Sequence, residues 1–315
     1  MEWYWWVIIA VLVLLVIPHF VVSYIVFGIV FKRNSKAEVP YKERDLTLTD
    51  HKNFRHQIYE AIDFLEGLEK EPVSIEAFDG TKLNGFFINN NSDTTILLVH
   101  GYRSMPFNAF NMAGKRLYEE GYNLLYIEHR AHGSSGGTYT SFGILERRDV
   151  KAWTEFINEK YQSKNIILYG SSMGCASVEM SLELDIPSNV KGAILDCGFN
   201  DVFKLVKAEC GKRNPFNVHL TVLTMNLYCK MFGKFSLFET TSAKALSKTN
   251  VPCFFLTGKA DEVVDFWHVE QNYNACNSYK ECAFLDGVKH GMAYYFGYPD
   301  LEERIMKFVK KCIEE

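Results

Sequence analysis

The sequence lacks several features that would assign it to a functional class at once. Its 34 Lys and Arg nearly balance its 38 Asp and Glu, and a net charge of −4 gives no electrostatic reason to expect a nucleic-acid partner. The His, Cys and carboxylate residues show no metal-ligand spacing, so neither a metal nor another cofactor is predicted. Internal repeats and low-complexity tracts are absent. With 48% apolar residues, 24 Phe and 17 Tyr, the 315-residue chain has the composition of an ordered protein with a substantial core.

The eight cysteines are scattered along the chain and never form a C-x-x-C pair. Several lie within apolar segments, such as Cys253 in the run from Val251 to Thr257. Cysteines in such positions are typical of free thiols that serve as small apolar side chains in a reducing compartment.

The N-terminal segment is strongly apolar. The 29 residues from Trp3 to Phe31 carry no formal charge, and this length is sufficient to cross a bilayer with some tilt. Residues 1–31 are therefore predicted to be one transmembrane helix, with an aromatic belt at residues 3–6. A cleavable signal peptide is disfavoured because there is no basic segment before the apolar run and no A-x-A site after it.

The charges that flank this segment predict its orientation. Lys32, Arg33 and Lys36 follow the apolar run, and no Lys or Arg precedes it. The positive-inside rule then predicts a single-pass protein of the cell membrane whose remaining residues lie in the cytoplasm. Scattered cysteines agree with that compartment, and the opposite orientation is the alternative.

The rest of the chain divides into a linker and one large domain. Residues 32–71 are polar and charged, and they are predicted to be a linker with an amphipathic helix at about 50–68 that packs on the domain or on the membrane surface. From residue 72 to 315 strand-like and helix-like segments alternate, which predicts a mostly parallel sheet with helices on both faces. The strands after an initial hairpin around Asp79-Gly80 are predicted at 94–99, 122–127, 165–169, 190–196, 251–257 and 279–285. The helices that alternate with them are predicted near 106–120, 142–161, 173–184, 265–277 and 299–313.

The most informative motif is Gly170-Ser171-Ser172-Met173-Gly174. It lies between an apolar strand-like run and a helix-like stretch, which is the context of a G-x-S-x-G nucleophile elbow. A turn this sharp strains the backbone at its centre, and only glycine at the flanking positions avoids collisions. Ser172 is the candidate nucleophile because only the middle position projects from the turn, which leaves Ser171 as the weaker alternative.

A serine hydroxyl needs a base and a carboxylate that orients the base. Both are expected downstream, the acid before the histidine, each in a loop after a strand. Asp261 follows the run that ends at Thr257, and His290 follows the strand-like segment 279–285. Glu262 and Asp265 are rivals of Asp261. In an extended loop, however, Glu262 points the other way, and Asp265 is placed to cap the next helix.

Two backbone N–H groups are candidates for an oxyanion hole. Met173 follows the serine and opens a helix whose dipole adds positive potential. The predicted strand 94–99 is followed by the pair His100-Gly101, which lets the next N–H, that of Tyr102, face the serine. In this arrangement His100 is a buried structural residue and not a second base.

From about residue 72 to its C-terminus the chain resembles the α/β-hydrolase superfamily. It is most similar to the serine-aminopeptidase-like and prolyl-oligopeptidase-like esterase branch, which includes bacterial members with one N-terminal membrane span. Two positions differ from the usual D-x-R-G-H-G loop of that branch, since Glu128 replaces the Asp and Ala131 replaces a Gly. The resemblance is carried by the segments 99–102, 128–136 and 143–150, the elbow 170–174, Gly258 with Asp261, and His290-Gly291.

The resemblance implies an α/β-hydrolase fold with an eight-stranded sheet and a small helical cap at about 199–247 that lines the acyl or alcohol pocket. It implies a serine hydrolase of the carboxylesterase type, acting on a small-molecule or lipid ester without a cofactor. Ser172, His290 and Asp261 would form the catalytic triad, and the N–H groups of Tyr102 and Met173 would bind the oxyanion. A peptidase, or a lipid or thioester hydrolase with the same residues, is one alternative. A catalytically silent binding protein is another, although the retained triad residue types argue against it.

Overall fold

The computed structural model describes residues 2–43, 46, 49–213 and 217–314, without the side chains at 7–9, 11–15, 37 and 213. Residues 44, 45, 47 and 48 of the predicted linker and residues 214–216 of the predicted cap lie outside the described residues.

One sheet forms the centre of the molecule. Within the described residues it has eight strands: β1 (Glu71–Glu76), β2 (Lys82–Ile88), β3 (Thr94–Val99), β4 (Asn123–Ile127), β5 (Asn165–Ser171), β6 (Val190–Asp196), β7 (Cys253–Gly258) and β8 (Lys280–Leu285). Their spatial order is β1-β2-β4-β3-β5-β6-β7-β8. The β1–β2 and β2–β4 pairs are antiparallel, and all the other neighbours are parallel, which confirms the predicted mostly parallel sheet.

The central strands are mostly apolar because helices cover both faces of the sheet. In β3 all six residues are buried, and successive side chains enter opposite layers. Ile96 and Leu98 pack in the apolar cluster of one face, and Leu97 and Val99 pack in that of the other. The strands predicted from the sequence agree with these bounds within two residues.

The described helices flank the sheet and extend beyond it. They are α1 (Trp3–Phe31), α2 (Arg55–Gly67), α3 (Pro106–Ala109), α4 (Met112–Glu119), α5 (Glu146–Phe156), α6 (Met173–Ser181), α7 (Val202–Arg213), α8 (Val218–Tyr228), α9 (Ser242–Leu246), α10 (Phe266–Ala275), α11 (Ala293–Gly297) and α12 (Asp300–Glu314). Helices α2, α4 and α12 cover one face of the sheet, and α5, α6 and α10 cover the other.

One long helix that the sequence indicates, at about 106–120, is in fact two. Phe110 leaves the helical region with φ −131° and ψ 57°, and it buries its ring at 4.9 Å from that of Tyr169. The side chain of Asn111 then accepts a hydrogen bond from the Met112 N–H at 2.8 Å and starts α4. The contact with Tyr169 is distant in sequence, so local helix propensity gives no sign of this break.

The N-terminal segment is a helix, but its interpretation as a transmembrane span is corrected by the structure. Among the described residues, no helix combines the length and the apolar content required to cross a membrane. From His19 onward α1 packs against α8. His19 Nε2 lies 2.9 Å from Thr224 Oγ1, the Tyr228 hydroxyl donates to the Phe20 carbonyl at 3.0 Å, and the rings of Tyr24 and Tyr228 are 5.3 Å apart.

The C-terminal end of α1 belongs to a third apolar cluster. Phe27 and Phe31 are fully buried, and Phe31 lies 5.5 Å from Phe142 and 5.7 Å from Phe235, measured between ring centroids. The same cluster contains Met173 and residues of α7 and α8. The end of α1, the helices α7 and α8, and the turn that carries Ser172 therefore share one core.

Residues between α1 and the sheet also pack on the domain. Ile58, Ile62 and Leu65 of α2 are buried in the apolar cluster that includes α4. The Arg33 N–H donates to the Thr138 carbonyl at 2.9 Å. The amphipathic helix therefore packs on the domain, which is one of the two surfaces predicted for it.

Candidate active site

The loop from β5 to α6 has the geometry of a sharp, strained turn. Ser172 has φ 53° and ψ −115°, a conformation that non-glycine residues rarely adopt. A Cβ atom on Gly170 would lie 2.5 Å from the Cys175 Cα, and one on Gly174 would lie 1.9 Å from the Val99 carbonyl oxygen. The collisions expected from the sequence are therefore real, and glycine is required on both sides of the serine.

The structure brings Ser172, His290 and Asp261 into one hydrogen-bonded chain. His290 Nδ1 lies 2.6 Å from Asp261 Oδ2, and His290 Nε2 lies 2.9 Å from Ser172 Oγ. An ionised carboxylate can only accept, so Nδ1 carries the proton and donates to Asp261. Nε2 is then the acceptor for the Ser172 hydroxyl, and this is the tautomer that a general base needs.

Asp261 is fixed by its own loop. Its side chain is fully buried, and Oδ1 accepts hydrogen bonds at 2.8 Å from the N–H groups of Val263 and Val264. Glu262 and Asp265, the rival carboxylates, are exposed. Asp265 occupies the N-cap position of α10, but its side chain makes no capping hydrogen bond, so that part of the sequence interpretation is wrong.

Two loops lie beside the serine where an oxyanion would form. A Cβ on Gly101 would come within 3.2 Å of the Ser172 Cβ, so the chain just before Tyr102 passes directly against the nucleophile turn. The N–H of Met173 is in the first turn of α6, where no earlier carbonyl of the helix can accept from it. The positive end of the helix dipole lies at this point.

The histidines near these loops have structural roles. His100 is buried, and its Nδ1 donates to the Gly101 carbonyl at 2.8 Å while its Nε2 accepts from the His129 N–H at 3.1 Å. Burial lowers the pKa of His100 well below its ordinary value, so the ring stays neutral. His132 Nε2 accepts from the Arg103 N–H at 2.9 Å. His100 thus holds the loop rather than acting as a second base, as the sequence predicted.

The loop after β4 tolerates its unusual residues. Ala131 has φ 59° and takes the left-handed conformation that a glycine would favour at this position. The neighbouring Arg130 clamps the loop, because its guanidinium donates to both carboxylate oxygens of Asp149 at 2.7 Å and to Asp79 at 2.8 Å. The substitution of Ala131 for glycine therefore leaves the loop geometry in place.

Cys197, Asp261 and His290 could in principle hold a metal ion, because one ligand atom of each lies within 4.8 Å of the others. Burial, however, raises the pKa of the Cys197 thiol well above its ordinary value, whereas a metal needs the thiolate. His290 already uses both ring nitrogens in hydrogen bonds, Nδ1 with Asp261 and Nε2 with Ser172. These residues do not fit a metal well, and the expectation of no metal stays a prediction.

Asp196 is a site residue that the sequence interpretation missed. It ends β6, its backbone carbonyl accepts from the Ser172 N–H at 2.8 Å, and its side chain is buried beside Ser172 and His290. Among the described residues its Oδ1 has no hydrogen-bond partner. The signal was available, since a carboxylate at the carboxyl end of a buried parallel strand lies on the edge where such sheets place their chemistry.

Burial raises the pKa of Asp196 to about 7, and this predicts a specific pH dependence of stability. The folded state keeps a proton that the unfolded state releases near pH 4, so the free energy of unfolding falls as the pH rises through this interval. Asp196→Asn lacks this titration. The free energy of unfolding of Asp196→Asn minus that of the wild type is expected to increase by up to about 4 kcal/mol from pH 4 to pH 8, as measured by urea unfolding. Parallel pH profiles for the two proteins would contradict the prediction.

Two cavities of different character meet at Ser172 and His290. The smaller, of about 200 Å³, is bordered by polar groups that include Ser171, Asp196 and Asn111. The larger, of about 480 Å³, is bordered mainly by apolar side chains of α1, α7 and α8. A substrate whose reactive carbon lies at Ser172 could therefore place an apolar part on one side and a polar part on the other.

Comparisons with known proteins agree with this architecture. The family model of the serine aminopeptidases, S33, matches residues 90–213, a range that includes the elbow and ends before Asp261. The uncharacterized protein YqkD of Bacillus subtilis is 24% identical over 90% of this chain and 92% of its own length. The Pyrococcus furiosus esterase Pf2001 superposes with a TM-score of 0.63 at 26% identity, covering 78% of this chain and 93% of the esterase.

Superposition on a second solved structure identifies the fold. The α/β-hydrolase GrgF from a Penicillium species superposes with a TM-score of 0.61 over 79% of this chain and its own full length, at 16% identity. The chain has the α/β-hydrolase fold. The predicted fold with its eight-stranded, mostly parallel sheet is thus confirmed over the described residues. The similarity to the S33 family and to an esterase also supports hydrolase activity for this α/β-hydrolase.

Proposed function

We propose that this α/β-hydrolase is a serine hydrolase that cleaves carboxylic esters through an acyl-enzyme on Ser172. The observation that carries the proposal is the chain of hydrogen bonds from Ser172 Oγ through His290 to Asp261, at 2.9 Å and 2.6 Å. The three residues come from separate loops, after β5, β7 and β8, so only the fold brings them together. Such a set is what a serine nucleophile requires.

The first half of the reaction forms the acyl-enzyme. Ser172 Oγ attacks the ester carbonyl carbon as its proton passes to His290 Nε2, and the carbonyl oxygen becomes an oxyanion. Asp261, which is buried and held by two N–H groups, stabilises the imidazolium that forms. His290 then gives the proton to the departing alkoxide, and the alcohol leaves.

The oxyanion is proposed to accept hydrogen bonds from the N–H groups of Tyr102 and Met173. Both residues border the larger cavity together with Ser172. The dipole of α6 adds positive potential at Met173. Donors of this kind stabilise the transition state more than the substrate, and the loss of one typically lowers kcat about 10²- to 10³-fold.

The second half of the reaction restores the enzyme. Water gives a proton to His290 Nε2 and attacks the acyl carbon, and collapse of the second tetrahedral intermediate releases the carboxylic acid and returns the proton to Ser172 Oγ. No cofactor takes part in the proposed cycle.

Peptide bonds and thioesters are the second candidate substrates, since the same groups can attack either. The similarity to the serine aminopeptidase S33 family favours the peptide, and the apolar cavity favours an acyl ester or thioester. A panel of p-nitrophenyl esters, acyl thioesters and aminoacyl p-nitroanilides separates them. The proposal expects the highest kcat/KM for esters. Faster turnover of the anilides would favour the peptidase, and the failure of every substrate would favour a silent binding protein.

We also propose that the outer surface of α1 and α8 associates with lipid. Phe20 and Tyr24 of α1 and Leu223 and Leu227 of α8 are exposed apolar side chains on two helices that pack side by side. A contiguous apolar surface of this kind is typical of an interaction site for a membrane or a partner. The cytoplasmic location predicted from residues 32–36 stays a prediction.

Leu227→Glu tests the lipid-facing surface. A carboxylate at this exposed position of α8 would have to be desolvated at the lipid boundary, so binding to vesicles is expected to fall by about tenfold or more. Cosedimentation of the full chain with phosphatidylcholine vesicles measures the effect, and Lys204→Glu on α7, an exposed polar position, is the matched control. Equal binding of the wild type and Leu227→Glu would contradict the proposal.

A further inference from the structure

We propose that α1 forms one wall of the acyl-binding cavity, and that the acyl part of the substrate is a linear apolar chain of medium or greater length. The inference rests on the proposed esterase function and specifies its substrate class. It also gives the N-terminal helix a role in substrate selection, since α1 is then part of the site rather than an appendage of the domain.

One stripe of α1 faces the cavity. Val22, Val26, Ile29 and Val30 border it, and these positions follow the i, i+4, i+7, i+8 spacing of a single helix face. Leu205 and Val206 of α7 and Val218 of α8 also border the cavity. The cavity is thus a space between three helices that leads to Ser172 and His290.

The size and the chemistry of the cavity fit an alkyl chain. Its volume of about 480 Å³ is far above the space that one water molecule needs, so the cavity has room for a chain of several methylene groups. Among the described residues at its border, the polar exceptions apart from Ser172 and His290 are Arg103, Glu209 and Thr221, and the others are mainly apolar. With so few polar groups, the cavity would be costly for a charged or strongly hydrated acyl group to enter.

The active-site loops hold the end of α1 in place. The last carbonyls of a helix have no partner within the helix and need one elsewhere. Here the Ile29 carbonyl accepts from Arg103 Nη2 at 2.5 Å, the Val30 carbonyl accepts from the Tyr102 hydroxyl at 2.7 Å, and the Phe31 carbonyl accepts from the Thr140 N–H at 2.9 Å. Tyr102 is also the proposed oxyanion residue. The wall of the cavity is therefore fixed to the catalytic loop, and its distance from Ser172 is set.

Val26→Phe in the full-length protein tests the inference. The larger side chain would fill the part of the cavity that lies one helical turn before Val30, whose carbonyl is bound to Tyr102, and Ile25→Phe, an exposed position on another face of α1, is the matched control. p-Nitrophenyl esters from butyrate to decanoate, assayed below their critical micelle concentrations, are the probes. For the wild type, kcat/KM is expected to rise about fourfold for each methylene that enters the cavity. Val26→Phe is expected to lose at least tenfold on decanoate and less than twofold on butyrate, and Ile25→Phe is expected to match the wild type.

The possible results separate this inference from the proposed function. Hydrolysis that needs Ser172 but shows no gain with acyl length, or an equal loss on all esters for folded Val26→Phe, would overturn the acyl cavity and leave the serine hydrolase intact. Hydrolysis that does not need Ser172 would overturn the proposed function itself. If Val26→Phe does not fold, Val26→Ala enlarges the cavity, and its optimum is expected to move to longer chains. An unchanged optimum would contradict the inference.

Discussion

Replacing Ser172 with alanine is expected to lower kcat for p-nitrophenyl butyrate by about 10⁴- to 10⁶-fold. Without Oγ no acyl-enzyme can form, and His290 has no hydroxyl to activate. The fold should survive, because the backbone of the turn is held by the Ser172 N–H bond to the Asp196 carbonyl and by the flanking glycines. Stopped-flow or steady-state release of p-nitrophenolate, with thermal unfolding followed in parallel, measures both properties.

Ser171→Ala is the matched control for this prediction. Ser171 lies beside the nucleophile and borders the smaller cavity, but the hydrogen bond of His290 goes to Ser172. Its removal is expected to change kcat by less than about tenfold, far less than the loss expected at Ser172. Similar losses for the two variants, or full activity of Ser172→Ala, would remove the basis for naming Ser172 as the nucleophile.

Deletion of residues 2–31 is expected to abolish esterase activity rather than merely release the domain from a membrane. The deletion removes Phe27 and Phe31 from the apolar cluster that contains Met173, and it removes the carbonyl that accepts from the Tyr102 hydroxyl. The expected result is a protein with an unfolded or collapsed cap and activity near background. Circular dichroism, thermal unfolding and ester turnover, all in the same mild detergent as the full chain, measure the outcome.

A milder variant keeps this prediction informative when the truncated protein does not fold. Phe31→Ala in the full chain deletes one fully buried ring and is expected to lower the free energy of unfolding by about 3–5 kcal/mol. Phe20→Ala, at an exposed position of the same helix, should cost far less. A truncated protein with full activity, together with a Phe31→Ala variant as stable as the wild type, would show that α1 is not part of the site.

Much of the candidate site could be predicted from local patterns. The elbow requires glycines at 170 and 174 because of close backbone contacts, so the five residues 170–174 are sufficient to predict it. Asp261 follows the buried strand β7 and His290 follows the edge strand β8, and the parallel order of these strands places both residues on the edge that carries Ser172. Apolar runs such as Thr94–Val99 identify buried strands because both faces of the sheet are covered.

Other features depend on contacts between residues far apart in the sequence. An uncharged segment of 29 residues has the composition of a membrane span, and nothing local reveals that Phe27 and Phe31 pack with the cap. The helix break at Phe110 likewise follows from its contact with Tyr169. Asp196 ends the buried parallel strand β6, so the strand-end rule is sufficient to find it from the sequence.

The most direct test of the central claim is to map the site that reacts with a fluorophosphonate. If Ser172, His290 and Asp261 act as one unit, the wild type should gain a single phosphonyl group, found on the peptide that contains Ser172. His290→Ala should react at least about 10³-fold more slowly, because the serine loses its base. A modified residue other than Ser172, or equal rates for the two proteins, would contradict the account.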